Sequence, residues 1–266
     1  MKVLIIGAGN MGKTYARSFL SSRFIDAGDL YILERSGGSV EAIKDIPQGN
    51  IHPQAGEFVS QADIILLAVK PQDFPALGKQ IAPYILQGQL ILSIMAGIKI
   101  AAIYEAIGAT KIVRAMPNLP AQIGMGMTVF TSSADIDKKE LFIMQNLINT
   151  TGKSVYVEDE GKIDAATAIS GSGPAYVYYF MEAMIQAGVK MGFTLSQAEL
   201  LVNQTFMGAV HLHNQSDLTC NEWISRVASK GGTTEAALKI MREHTLDSNI
   251  EEALFAAFNR ARELGS

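Results

Sequence analysis

The chain has 266 residues, 48% hydrophobic and 18% charged, so it can bury at least one sizeable core and is not globally disordered. Its 22 basic and 26 acidic side chains give a net charge of −4, which offers no general attraction for nucleic acid. One cysteine excludes an internal disulfide, and no stretch reaches the roughly 18 apolar residues of a membrane-spanning helix. We therefore expect a soluble, cytoplasmic protein with no membrane or nucleic acid partner.

Up to about residue 158, short β-branched runs alternate with helical stretches, which is typical of parallel strands covered on both faces by helices. The predicted strands are residues 3–6, 30–33, 64–69, 90–94 and 112–115, and residues 127–131 and 154–157 extend the sheet. The pattern predicts an α/β fold in which residues 1–158 form a Rossmann-type, doubly wound, dinucleotide-binding domain.

After Gly161 the apolar residues recur at helical spacing, so we expect residues 159–266 to form an all-helical domain. Helices are predicted to begin after Thr194 or Ser196, and to run from Thr233 or Thr234 to about Glu243. One predicted helix, around residues 176–185, is apolar on nearly all sides. Two interpretations of that helix stay open: burial within one subunit, or cover by a second copy of the chain.

The strongest chemical signal is the run Gly7-Ala8-Gly9-Asn10-Met11-Gly12, which follows the first predicted strand at Ile6 and begins a helix. In this spacing the first glycine permits a tight turn, the second lets backbone approach a pyrophosphate, and the third lets helix and strand pack closely. The pyrophosphate then lies at the helix N-terminus. We interpret residues 6–12 as a dinucleotide site.

The end of the second predicted strand carries two conflicting signals about the cofactor. A carboxylate at Glu34 would accept hydrogen bonds from the adenosine ribose and favour NAD, whereas Arg35 with Ser36 could hold a 2′-phosphate and favour NADP. The residues lean only slightly toward NADPH, with NADH as the alternative.

Three more loops follow strands at the same predicted edge of the sheet, where open α/β sheets bind ligands. Ala68, Val69, Lys70 and Pro71 follow one strand, and Met95 with Ala96 follow the next, so both are candidate cofactor contacts. Residues 114–120, with two prolines, form a rigid loop suited to a site floor.

Two clusters of small residues lie in the helical half. Residues 170–174 allow close approach of backbone to a helix or a ligand. Ser229-Lys230-Gly231-Gly232-Thr233-Thr234 precedes a helix, and its backbone N–H groups and hydroxyls predict a site for a carboxylate of amino-acid size. No metal site is predicted, because the four histidines and Cys220 lack suitably spaced partners.

Taken together, residues 3–12, 68–71, 113–120, 168–176, 188–192 and 229–234 resemble pyrroline-5-carboxylate reductase, in the family's order along the whole chain. The resemblance implies reduction of (S)-1-pyrroline-5-carboxylate to L-proline with NAD(P)H, usually NADPH, as the last step of proline biosynthesis. It also implies that the Thr234 hydroxyl serves the imine nitrogen, while Ser229 and the backbone of Gly231, Gly232 and Thr233 hold the substrate carboxylate.

The resemblance further implies a homodimer with interlocked helical domains, in which the cofactor domain of one subunit works with the helical loop of its partner. Larger rings of such dimers are common in the family. Two residues depart from the family pattern: Arg226 replaces an amide, and Lys230 replaces a proline.

Three other interpretations fit less well. A β-hydroxyacid dehydrogenase normally uses a lysine on the long helix, and residues 171–189 contain none. A nucleotide-sensing relative without activity would be expected to lack part of the carboxylate loop. A pure interaction protein would explain neither glycine cluster.

Overall fold

The computed structural model describes residues 1–35 and 46–264. Contacts divide the chain into two compact units, one made of residues 1–174 with 257–266 and the other of residues 175–256. The division falls later than residue 158 because helix α5 (Gly161–Ala166) contacts strands of the first unit. The domain boundary after residue 158 remains a prediction.

The described part of the first unit contains one eight-stranded sheet in the order β3-β2-β1-β4-β5-β6-β7-β8. The strands are β1 (Val3–Ile6), β2 (Leu30–Leu33), β3 (Ile51–His52), β4 (Ile64–Leu67), β5 (Leu90–Ser93), β6 (Ile112–Met116), β7 (Gly126–Ser132) and β8 (Gly152–Tyr156). Neighbours are parallel except for β6 and β7. The first six strands have the Rossmann order 3-2-1-4-5-6, which confirms the predicted fold class.

Both faces of the sheet carry an apolar core, as expected for a doubly wound domain. Alternate residues of β1 point to opposite faces, so Val3 and Ile5 belong to one core and Leu4 and Ile6 to the other. Helices α1 (Asn10–Ser21) and α4 (Lys138–Asn149) contribute to the first core, and α2 (Phe74–Ile81) and α3 (Ile100–Ile107) to the second.

All seven predicted strands are confirmed: residues 3–6 and 30–33 match at both ends, and the other five differ by one or two residues at one or both ends. Strand β3 was not predicted, since two residues, Ile51 and His52, are too few to show a periodic pattern. The predicted helix after the glycine run is α1, and the helix predicted from Thr233 to Glu243 is α9 (Thr233–Glu243).

The second half is helical, as predicted. After α5 comes a π-helix (Thr167–Gly171), then α6 (Gly173–Lys190), α7 (Leu195–Asn214), α8 (Cys220–Val227), α9 and α10 (Leu246–Leu264). Thr194 caps α7 in a reciprocal bond pattern with Gln197, which decides between the two predicted caps in favour of Thr194. Among the described helices, none is long and apolar enough to cross a membrane.

Candidate active site

The glycine run forms a tight turn between β1 and α1, close to the end of β4. Gly7 has a φ of +96°, a conformation that side chains disfavour. A Cβ at Gly7 would lie 2.9 Å from Cγ1 of Val69 and 3.0 Å from the carbonyl of Ala68. The structure therefore brings two of the predicted cofactor segments, residues 7–12 and 68–71, against one another.

The other two glycines of the run, Gly9 and Gly12, differ in their surroundings. A Cβ at Gly12 would overlap the carbonyl oxygen of Gly7, so this glycine lets α1 pack on the turn. A Cβ at Gly9 would have no atom of the described chain within 4 Å. Gly9 is also the N-cap of α1, and no side chain caps that helix end. The open backbone and the helix N-terminus thus fit the phosphates of a dinucleotide.

Glu34 extends from the end of β2 to the glycine turn. The N–H of Ala8 donates a 2.7 Å hydrogen bond to Oε2 of Glu34, and the N–H of Glu34 donates to the carbonyl of His52 at 3.0 Å. Arg35 is exposed, and Ser36 lies outside the described residues. The acidic residue of this segment, Glu34, is therefore hydrogen-bonded directly to the glycine turn.

The remaining predicted cofactor residues follow β4 and β5. The N–H of Ile94 donates to the carbonyl of Leu67 at 3.1 Å, so the exits of these two strands lie side by side. Lys70 is exposed and caps a short 3₁₀ helix that begins at Pro71, whereas Met95 is buried and Ala96 is half-buried.

The residues of the glycine run differ in burial, and therefore in which of their atoms can contact a ligand. Ile6 is buried, so only its backbone can face a ligand, and the half-buried Met11 packs against the core. Asn10 is exposed and lines a groove of about 580 Å³ with Gln122 and Gly124 of the loop after β6.

The predicted site floor, residues 114–120, is hydrogen-bonded to and packed against the cluster at residues 170–174. Nδ2 of Asn118 donates to the carbonyl of Ser170 at 3.0 Å, and Oδ1 accepts from the N–H of Met127 at 2.8 Å. A Cβ at Gly171 would lie 2.9 Å from Cε of Met116. Gly171 therefore lets the backbone approach the Met116 side chain closely. The role of Asn118 was not predicted, because its two partners are distant in sequence.

A second feature that sequence reasoning missed is a buried ion cluster around Arg114, the first residue of that segment. Arg114 on β6 is 1% exposed, and its guanidinium contacts Asp164 of α5 at 2.9 Å and Glu160 at 3.1 Å. Glu160 also accepts a 2.9 Å hydrogen bond from the N–H of Ile100, the first residue of α3. The cluster ties β6, α3 and α5 together.

In the second unit, residues 229–234 form a turn that leads into α9. Gly231 has a φ of +72° and donates its N–H to Oε2 of Glu235 at 2.7 Å, while Gly232 donates to the carbonyl of Ser229 at 3.0 Å. A Cβ at Gly232 would lie 2.5 Å from Oγ of Ser229 and 3.0 Å from its carbonyl oxygen, so a larger residue there would displace Ser229.

These bonds use the N–H groups of Gly231 and Gly232 within the turn. Gly232 is the N-cap of α9, and no side chain caps this helix end. The N–H groups of Thr233 and Thr234 therefore lie in the first helical turn, where they have no partner within the helix. A concavity of about 470 Å³ lies beside the turn, lined by Gly231, Gly232, Glu235, Ala236, Lys239, Arg242 and Glu243.

The two residues that depart from the family pattern are both near this turn. Lys230 is exposed, and the guanidinium of Arg226 lies 5.4 Å from the centre of the Trp223 ring. In the described residues no group of three or more histidine, cysteine, aspartate or glutamate side chains could hold a metal ion.

The sheet order, the open glycine turn and the helical second half define a dinucleotide-binding protein of the α/β-plus-helical class. Two family models match the chain. One, described as pyrroline-5-carboxylate reductase dimerisation, covers residues 160–264, and the other, described as NADP oxidoreductase, coenzyme F420-dependent, covers residues 2–97.

Known proteins similar to the chain include a pyrroline-5-carboxylate reductase of Staphylococcus saprophyticus subsp. saprophyticus, 33% identical over 270 residues, covering 100% of this chain and 98% of that protein. A pyrroline-5-carboxylate reductase structure from Coxiella burnetii has a TM-score of 0.89 and 29% identity, and one from Plasmodium falciparum with NADP bound has a TM-score of 0.88 and 29% identity. Both comparisons cover 100% of this chain and 98% of the other chain. The chain belongs to the pyrroline-5-carboxylate reductase family.

Proposed function

We propose that the protein reduces (S)-1-pyrroline-5-carboxylate to L-proline with NAD(P)H. The observation that carries the proposal is the likeness to reductases of this substrate over the whole chain, in the cofactor half and the helical half alike. The product differs from the substrate by one hydride on the imine carbon and one proton on the nitrogen. The site therefore has to bring a hydride donor and a cyclic imine together and supply a proton.

The cofactor, when bound, supplies the hydride and is oxidised to NAD(P)⁺. Backbone from Ile6 to Gly12 holds its pyrophosphate, since Gly9 leaves open space and the end of α1 is uncapped. Glu34 and Arg35 lie on the adenosine side. The segment at Ala68 follows β4, which is next to β1, and the segment at Met95 follows β5, the strand beyond β4, toward the nicotinamide.

The turn at residues 229–234 receives the substrate carboxylate. The N–H groups of Gly231 and Gly232 shape the turn through their internal bonds, so the amides of Thr233 and Thr234 and the Ser229 hydroxyl are the groups available to the carboxylate. The Thr234 hydroxyl donates a hydrogen bond to the imine nitrogen as the hydride arrives. The charge that develops on nitrogen is neutralised by a proton, ultimately from water.

The functional unit that we propose is a homodimer. Helices α6 and α7 leave large apolar side chains exposed in the single chain: Val177, Tyr178, Tyr179, Met184, Val189, Leu195, Leu200, Leu201, Met207, Val210 and Leu212. A surface of this size and composition is typical of an interface between subunits. In the dimer, each active site combines the cofactor domain of one subunit with residues 229–234 of its partner. We extend the proposal to rings of such dimers, as the resemblance implies, and to a cytoplasmic location, which fits the single cysteine.

The test is oxidation of NADPH and, separately, of NADH at 340 nm by the purified protein supplied with pyrroline-5-carboxylate, with proline identified as product. Turnover that yields proline supports the proposal. A folded protein that binds a cofactor but turns over with neither would favour a sensing relative instead.

The role of Thr234 has its own test. Thr234→Ala should lower kcat by 10²-fold or more, on the scale of a lost proton-transfer or oxyanion-type contact, while the Kd of the cofactor changes less than threefold. Thr110→Ala removes an exposed threonine hydroxyl in the first unit and serves as the control. Equal losses of turnover and cofactor affinity in Thr234→Ala would contradict this role.

A further inference from the structure

The side chain of Asn118 joins two other elements instead of capping its own. Asn118 is the N-cap of a short 3₁₀ helix (Leu119–Ile123), a position where asparagine usually accepts a hydrogen bond from the first helical turn. Within the described chain no such bond forms. Nδ2 donates instead to the carbonyl of Ser170, and Oδ1 accepts from the N–H of Met127. The amide thereby connects the site floor to the π-helix and to β7.

The carbonyl of Ser170 needs a donor from outside its own helix. In an α-helix this carbonyl would accept from the N–H four residues later, but residue 174 is a proline and has no N–H. The backbone widens here into the π-helix, in which the N–H of Ser172 donates to the carbonyl of Thr167 at 2.8 Å. A backbone carbonyl without a donor is unfavourable inside a protein. Asn118 supplies the donor that Pro174 lacks.

The second bond of Asn118 continues the pairing between β6 and β7. The last pair of that ladder joins Met116 to Val129, so the N–H of Met127 lies beyond its end. Asn118 follows β6 by two residues and accepts this N–H through its side chain. Pro117 and Pro120 restrict the backbone on either side. The floor is therefore stiff, and the bonds of Asn118 set its position.

The loop that Asn118 holds extends to the cofactor turn. It follows β6 at the edge where the parallel strands end, as the other candidate cofactor segments do. Its far end, with Gln122 and Gly124, lines one groove with Asn10, the first residue of α1. Hydride transfer requires the reacting atoms to lie about 3–3.5 Å apart and aligned, so a displacement of about 1 Å can cost about 10²-fold in rate.

We propose that Asn118 is a positioning residue of the candidate active site: its bonds to Ser170 and Met127 hold residues 116–120 where they fix the nicotinamide for hydride transfer. The role is indirect, because the side chain acts through the backbone that it holds. The proposal rests on the proposed function, which supplies the reaction to be measured.

The test is Asn118→Asp, which keeps an oxygen for the N–H of Met127 but replaces the donor to Ser170 by an acceptor. At about pH 8 kcat should fall about tenfold or more, while the Kd of NADPH changes less than about threefold. A carboxyl group that faces a carbonyl oxygen is protonated more readily than usual, and once protonated it can donate again. The kcat of the variant should therefore recover relative to wild type as the pH falls to about 5.5.

Asn50→Asp is the matched control, because it breaks the same kind of bond elsewhere in the first unit. Nδ2 of Asn50 donates to the carbonyls of Gly28 at 2.9 Å and Leu30 at 3.1 Å, at the start of β2 and so at the opposite edge of the parallel strands. This variant should lower the thermal unfolding midpoint, whereas its kcat should stay within about threefold of wild type at each pH.

Three results would overturn the proposal: a loss of kcat below about threefold in Asn118→Asp, a loss that does not shrink at low pH, or an equal loss in Asn50→Asp. If Asn118→Asp fails to fold, Asn118→Ala should show the loss of kcat without recovery at low pH, and an unchanged kcat would contradict the role. The fluorescence of bound NADPH, measured without substrate, separates the two proposals. Wild type that forms no proline would count against the proposed function, and an Asn118→Asp emission equal to that of wild type would count against the positioning role.

Discussion

Replacement of Arg114 by methionine should strongly destabilise the first unit. Arg114 is 1% exposed and pairs with Asp164 at 2.9 Å and Glu160 at 3.1 Å. Methionine fills much of the same length with apolar atoms but leaves both carboxylates without their cation. The loss of stability depends on how far water can replace the arginine as a hydrogen-bond partner of each carboxylate.

The two carboxylates differ in that respect. The side chain of Asp164 is only 8% exposed, and removal of one partner of a buried pair costs about 3–5 kcal/mol. The side chain of Glu160 is 31% exposed and keeps its bond to Ile100, so its share is about 0–1 kcal/mol. Within the described residues Nε of Arg114 has no hydrogen-bond partner, and its removal returns part of the loss. We expect a net loss of about 3–4 kcal/mol.

The assay is urea unfolding at a fixed protomer concentration, because the stability of a dimer depends on that concentration. Circular dichroism reports on both units. Trp223, the single tryptophan, lies on α8 in the second unit and reports there by fluorescence. Arg114→Met should lower the midpoint seen by circular dichroism more than the midpoint seen by fluorescence.

A matched control and a double variant test whether the buried pair causes the loss of stability. Arg260→Met removes an arginine from an exposed pair with Glu263 at 2.8 Å and should cost less than about 1 kcal/mol. The variant that combines Arg114→Met with Asp164→Leu should regain much of the loss, since apolar residues often replace a buried pair without penalty. A loss below about 1 kcal/mol in Arg114→Met, or no recovery in the double variant, would refute the reasoning.

Other predictions concern the cofactor site, a histidine and the interface. Gly9→Ala should leave the thermal unfolding midpoint near that of wild type but weaken cofactor binding tenfold or more. In Gly12→Ala the new Cβ overlaps the Gly7 carbonyl oxygen, so both the thermal midpoint and the cofactor affinity should fall. Wild-type cofactor affinity in Gly9→Ala would contradict the pyrophosphate site. Burial lowers the pKa of His52, so the unfolded chain protonates more readily and stability should fall as pH drops below about 6.5. Urea unfolding at several pH values should show that the stability of His52→Phe falls less with decreasing pH than that of wild type. An equal fall in both proteins would argue against a contribution from His52. Tyr179, 77% exposed, lies on the proposed interface, so Tyr179→Glu should lower the mass in light scattering to that of one chain. An unchanged mass would contradict an interface at this helix.

The sequence predicted those elements whose signals are local. The strands from Val3 and Leu30 are short buried runs bounded by turn residues, and α7 begins where Thr194 and Gln197 form a capping box. The glycine turn was predictable for the same reason, because three glycines in six residues fix the turn, the open backbone and the close packing. Strand β3 escaped prediction, since its two residues become a strand only by pairing with β2.

The two-part organisation, the dinucleotide turn and the two glycine-containing clusters could be predicted, because each depends on residues that are neighbours in the chain. The tertiary structure alone decided which distant groups meet. Arg114 is joined to Asp164, Asn118 to Ser170, and Ala8 to Glu34, across 26 or more residues. Such contacts follow from the order of strands in the sheet and from which faces are buried, and no local pattern encodes them.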